Sequence, residues 1–146
     1  MLKNSNFEIQ VIQHSKNFGS FTAIRTGLKR ARGQYVGVIS ADLQEPAHLL
    51  HSFFELLHTN SADIVFGQRE SRSESLLIRF LSGIYWKTYR LLINGEIPTG
   101  GIDVFACSRR VVNVINSMEE RNSSLVGMLF WVGFRREFIK YSRLPR

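Results

Sequence analysis

An α/β fold, with a mostly parallel sheet flanked by helices, is predicted for this 146-residue chain by three observations. Short apolar runs rich in β-branched residues alternate with stretches of helical periodicity through the first half, the pattern of parallel strands joined by right-handed crossovers. Turn and stop residues separate these segments at the expected places. The polar heptapeptide Ser40-Ala41-Asp42-Leu43-Gln44-Glu45-Pro46 follows one of the runs directly, and open α/β sheets hold ligands just past the carboxyl ends of their strands.

The elements follow in order. Phe7–Ile12 alternates apolar and polar residues as a strand. Asn17-Phe18-Gly19-Ser20 is a tight turn with Ser20 a candidate N-cap. From Phe21 to Arg32, Ala23, Ile24, Gly27, Leu28 and Ala31 share one helical face, and Gly33 suits a helix stop. Tyr35–Ile39 has the length and branching of a buried central strand. Pro46 opens the next helix, His48–His58, whose Leu49, Leu50, Phe53, Phe54 and Leu57 recur at helical spacing. Asp63–Gly67 returns as a strand. Beyond it a polar loop, 69–75, leads into an aromatic helix, Leu76–Ile93, then a loop with Pro98 and Gly100-Gly101. Ile102–Cys107 reads as a strand carrying Asp103, Arg109–Met118 and Leu125–Trp131 as helices, and Phe134–Tyr141 as a basic strand, with Trp131 and Phe134 expected in the core.

Composition narrows the function classes. With 44% hydrophobic and 21% charged residues the chain is one folded domain, or part of one. A net charge of +7 calls for an anionic partner: nucleic acid, a phosphorylated substrate or an acidic membrane surface. The single cysteine, Cys107, excludes an internal disulfide framework, and with histidines scattered at 14, 48, 51 and 58 a zinc site is not expected. Residues 1–6 have no signal-peptide character, and Arg79, Lys87 and Arg90 interrupt the most apolar stretch, so no membrane span is expected. Nucleic-acid motifs are absent and the charges are spread out.

Two clusters carry chemistry. Asp42 and Gln44, with Ser40 as a lesser contributor, offer oxygens suited to a hard divalent cation that also holds phosphates. On spacing alone the same loop equally suits acidic residues placed at the start of the following helix. Arg69 and Arg72 can hold a phosphate in guanidinium forks, or simply pair with Glu70 and Glu74. The 76–93 helix is suited to an in-plane membrane contact, to core packing or to a subunit interface. The basic tail residues Arg135, Arg136, Lys140, Arg143 and Arg146 would add attraction to an anionic leaflet.

A long string of motifs resembles the family-two glycosyltransferases of the GT-A fold, near the dolichyl- and undecaprenyl-phosphate sugar transferases. Ser15–Gly19 resembles the segment before the metal-site strand, Ser40–Pro46 the Asp-Ala-Asp-Leu-Gln-Asp-Pro segment, and Arg69 with Arg72 the arginine loop. Gly101-Ile102-Asp103 resembles the glycine-aspartate strand, and Glu120-Arg121-Asn122, Gly127 and Trp131–Phe134 the closing segment. The chain departs from the family at Ser40, where better-known members carry a first carboxylate, and at Ser123 and Val126, where basic residues are common.

The resemblance implies a partial, Rossmann-like GT-A catalytic domain over residues 1–146, lacking the family's opening base-recognition strand and its later membrane helices. It implies sugar transfer from a nucleotide-sugar donor to a polyprenyl phosphate, with inversion, at the cytoplasmic face of a membrane and with Mg²⁺ or Mn²⁺ as cofactor. Asp42 and Gln44 would hold the metal diphosphate, with Ser40 beside them. Asp103 would be the catalytic or orienting carboxylate, and Arg69 and Arg72 would bind acceptor phosphate. A non-catalytic basic membrane- or partner-binding domain derived from such an enzyme is the rival expectation, and a homo-oligomer remains open.

Overall fold

The computed structural model describes residues 8–42, 44–70, 102, 104–119 and 124–144. In chain order the elements are α1 (Ser20–Arg30), β1 (Tyr35–Val38), α2 (His48–His58), β2 (Ile64–Arg69), β3 (Phe105–Ser108), α3 (Arg109–Ser117), α4 (Leu125–Trp131) and β4 (Arg136–Tyr141). The expected 76–93 helix, Arg72, Asp103 and the 120–123 segment lie outside the described residues.

The four strands form one sheet in the order β1-β3-β2-β4. β3 runs antiparallel to both β1 and β2, while β2 and β4 are parallel. The sheet is therefore mixed, and the expectation of a mostly parallel one is corrected. Side-chain alternation in a strand is blind to chain direction, so the apolar pattern of Val104–Cys107 could not show that this strand enters from the opposite end.

The two inner strands, β3 and β2, are apolar on both sides because both of their faces are covered. On one face Ile64 and Phe66 of β2 and Phe105 and Cys107 of β3 pack with α1, α3 and α4 through Leu28, Val112, Ile115 and Leu129. On the other, Val65, Val104 and Ala106 meet Leu49, Phe53 and Leu57 of α2, together with Tyr141. Gly37 lets α2 come close: a Cβ there would stand 2.9 Å from Leu50 Cδ2 and 3.2 Å from Phe54 Cζ.

Three further expectations are corrected. Residues 8–14 form no strand, and Ile9 and Val11 stand exposed at 79% and 92%. Alternation suits a strand, but a strand persists only where a neighbour accepts its backbone hydrogen bonds, and among the described residues none does. Ser20 is the first residue of α1 rather than its cap; Gly19, at φ 87°, takes the cap position, and its N–H donates to Asn17 Oδ1 at 2.8 Å. Trp131 ends α4 at 75% exposure instead of joining the core, because Met128, Leu129 and Phe130 already fill the buried face of that short helix.

Candidate functional site at the carboxyl edge of the sheet

Since β1 and β2 both oppose β3, they are parallel to each other, and β4 is parallel to β2. The carboxyl ends of β1, β2 and β4 thus share one edge, where β3 begins. The chain leaves β1 through Ile39 and half-buried Ser40 into a turn at Ala41-Asp42. Asp42 is exposed, and its Oδ1 accepts the Gln44 N–H at 3.2 Å, the short-range bond that Asp side chains make in turns. Gln44 is buried, at 8% exposure, and its carbonyl accepts the Leu144 N–H at 2.9 Å. Among the described residues both hydrogen bonds of Gln44 run through its backbone.

The next residue was missed by sequence reasoning. The Glu45 side chain is fully enclosed, and Arg143 donates to its Oε1 from both Nε and Nη2, each at 2.9 Å. Its Oε2 is buried and accepts no hydrogen bond among the described residues. Arg143, expected to face a leaflet, is instead committed to this loop. Arg135 of the same tail is tied to Asp63, Nε to Oδ2 at 3.0 Å, at the opposite end of β4. No local pattern could have revealed a pair 98 residues apart; the one available signal was a lone Glu wedged between the candidate loop and Pro46.

At the end of β2, half-buried Arg69 lies in register with Tyr141 of β4. The Glu70 N–H donates to the Tyr141 carbonyl at 2.9 Å, and Ser142 Oγ donates to Glu70 Oε2 at 2.6 Å. Residues 141–144 therefore cross from the end of β2 to the loop after β1. The structure brings Ser40, Asp42, Gln44 and Arg69 to this one edge. A cleft of about 610 Å³ between α1 and α3, lined by Phe21, Arg25, Lys29 and Asn116 among others, includes none of them.

Among the described residues no group of three or more His, Cys, Asp and Glu side chains is placed to hold a metal ion. Asp42 still fits the demand of a diphosphate-bound Mg²⁺ or Mn²⁺, because such ions take one or two carboxylates and fill the rest of their shell with phosphate and water. Elsewhere, burial pushes the Cys107 thiol up to about 12, against a smaller opposing pull from Arg109. That makes it an inert core residue rather than a nucleophile.

The family model of glycosyl transferase family 2 matches residues 1–116. The chain belongs to that family. An uncharacterized glycosyltransferase of Synechocystis is 34% identical over 143 residues, covering 97% of this chain and 45% of that protein. A putative glycosyltransferase of Bacillus subtilis is 30% identical over 138 residues, 94% of this chain and 42% of its own length. The prophage bactoprenol glucosyl transferase homolog of Escherichia coli is 32% identical over 136 residues, 92% of this chain and 44% of that protein. The chain thus spans less than half the length of these relatives. Membership accords with the α/β architecture expected from its motifs. Among the described residues no helix is long and apolar enough to cross a membrane.

Proposed function

We propose that residues 1–146 form part of a catalytic domain that moves a sugar from a nucleotide-sugar donor to a polyprenyl phosphate, in bactoprenol-type glycan assembly on the cytoplasmic face of a membrane. The observation that carries this reading is the exposed Asp42 carboxylate just past the carboxyl end of β1, at the same end of the sheet as Arg69 of β2. The naming of relatives as bactoprenol glucosyl transferases supports the acceptor class.

In this reading Asp42 would hold the Mg²⁺ or Mn²⁺ that accompanies the donor diphosphate, with Ser40 close by and Gln44 shaping the loop through its backbone. The bound cation would offset the negative charge that builds on the departing diphosphate. An acceptor phosphate oxygen forms the new bond to the anomeric carbon while the bond to the diphosphate breaks and its electron pair leaves with the nucleoside diphosphate. A phosphomonoester has its second pKa near 6, so it arrives largely as a dianion and needs placement more than deprotonation. Arg69, with Arg72, would supply that placement, and Asp103 would orient the acceptor. The membrane surface and a second copy of the chain are proposed partners.

Calorimetry of UDP and GDP, each with and without Mn²⁺, tests the donor site. Wild type should bind at least one of them far more tightly with Mn²⁺, and Asp42→Asn should remove that gain. Metal-independent binding, or an Asp42→Asn variant that keeps the gain, refutes the assignment.

A further inference from the structure

The segment that follows β4 has no assigned role, yet its contacts converge on the candidate donor loop. Leu144 donates its N–H to the Gln44 carbonyl at 2.9 Å, and Gln44 in turn donates its own N–H to Asp42 Oδ1 at 3.2 Å. Beside it Arg143 grips the enclosed Glu45 carboxylate with two nitrogens. The same segment is anchored to the end of β2 through Tyr141 and Ser142 on Glu70. We infer that Ser142–Leu144 is a strap that positions the Asp42–Glu45 loop, and that Arg143 is its principal positioning residue.

Asp42 is exposed in a turn, and its Oδ1 accepts the N–H of Gln44, the residue on which the strap closes. An exposed turn holds a carboxylate poorly unless neighbouring groups hold the backbone in turn. Here the backbone is held on the far side of Gln44 by Leu144 and one residue later by a fork on Glu45. Two guanidinium nitrogens converging on the one enclosed oxygen Oε1 hold that end of the side chain in place. Glu45 cannot swing away to solvent, since its side chain has no exposure. The strap also bridges the carboxyl ends of β1 and β2, which β3 separates, so the donor loop and the Arg69 end of β2 are set in a common frame.

This rests on Asp42 being the donor-diphosphate residue, and the test separates the two claims. The doubly neutral variant Glu45→Gln/Arg143→Gln removes the fork without stranding an enclosed charge. Leu144→Pro deletes the single N–H of the strap at an exposed position, and decides the matter if the double variant does not fold. Each is titrated with UDP and GDP plus Mn²⁺, with thermal melts alongside. Residues that orient a metal-holding group are typically worth 10–100-fold in affinity, so the folded double variant should lose roughly tenfold in Mn²⁺-dependent nucleotide affinity. Metal-free binding should not change in either variant. Wild-type affinity in folded variants, with Asp42→Asn still inactive in binding, overturns the strap alone. Wild type that binds no nucleotide with Mn²⁺ overturns the donor-site reading and the strap with it.

Discussion

Replacing Gly67 with alanine tests the packing near the carboxyl end of β2. Gly67 sits on β2 opposite Ile139 of β4, is buried, and donates its N–H to the Val104 carbonyl at 2.9 Å. An added Cβ would collide with Val104 Cγ2 and stand 3.1 Å from Tyr141 Cε1 and 3.3 Å from Phe53 Cζ. None of the three neighbours can withdraw easily. Val104 is β-branched and stiff, and both it and Phe53 are fully buried. Overpacking of this kind costs roughly 1–3 kcal/mol, and the collision with a side chain that cannot rotate away places it in the upper part of that range. Lower entropy of the unfolded chain returns about 0.4–1 kcal/mol, leaving a net loss of about 1–2.5 kcal/mol. At roughly 4 °C per kcal/mol for a chain of this size, Tm should fall by about 4–10 °C. Gly27→Ala is the control, since Gly27 lies within α1 with nothing within 4 Å of its would-be Cβ; it should gain up to about 1 kcal/mol. Circular-dichroism melts of both variants decide the matter. A Gly67→Ala protein that melts at or above wild type refutes the claim that α2, β3 and β4 close around this position.

Two more outcomes are expected. Cys107 should resist a thiol reagent at pH 8 in the native protein. Its thiol ionises near 9 when unfolded but near 12 when folded, so the folded state keeps a proton that the unfolded state loses between those values. Stability should therefore be unaffected by this group below about pH 9 and decline from there toward 12. Urea midpoints of wild type and Cys107→Ala between pH 8 and 11 check the sign, and parallel curves would contradict it. Trp131→Ser should leave stability within about 0.5 kcal/mol of wild type by chemical denaturation, because the side chain is 75% exposed; a loss of several kcal/mol would restore Trp131 to the core.

The parts of the fold legible in the sequence are those whose signal is local. The span of α2 coincides with its expected limits because Leu49, Phe53 and Leu57 mark one face at an unbroken helical spacing. The limits of α4 were equally legible, but which of its residues point inward was not. In seven residues, three consecutive side chains from Met128 to Phe130 are buried, and nothing in that run says that the fourth, Trp131, is left outside. Strand direction is not local either. The antiparallel entry of β3 depends on how the chain returns after β2, which apolar alternation does not encode. Residues 8–12 show the converse case, where the local pattern is present and no partner strand among the described residues takes it up.

The site divides in the same way. The position of Asp42 and Gln44 just past the carboxyl end of β1 is readable, because a motif after a strand is a statement about neighbours in sequence. Arg143 was not, since its partner is distant, and it was counted with the basic tail. That count deserves physical scrutiny. A net charge of +7 describes the field seen from afar, not the number of cations available to an anionic partner. Arg143 is spent on Glu45 and Arg135 on Asp63, while Arg136 stacks 5.1 Å over the Phe130 ring and donates to the Phe130 carbonyl at 2.9 Å. Three arginines of the tail thus hold β4 against its surroundings. An anionic surface that approached this tail would compete with the contacts these arginines already make. Composition points to an anionic partner, but only the pairing of each charge shows which arginines are structural before any ligand arrives.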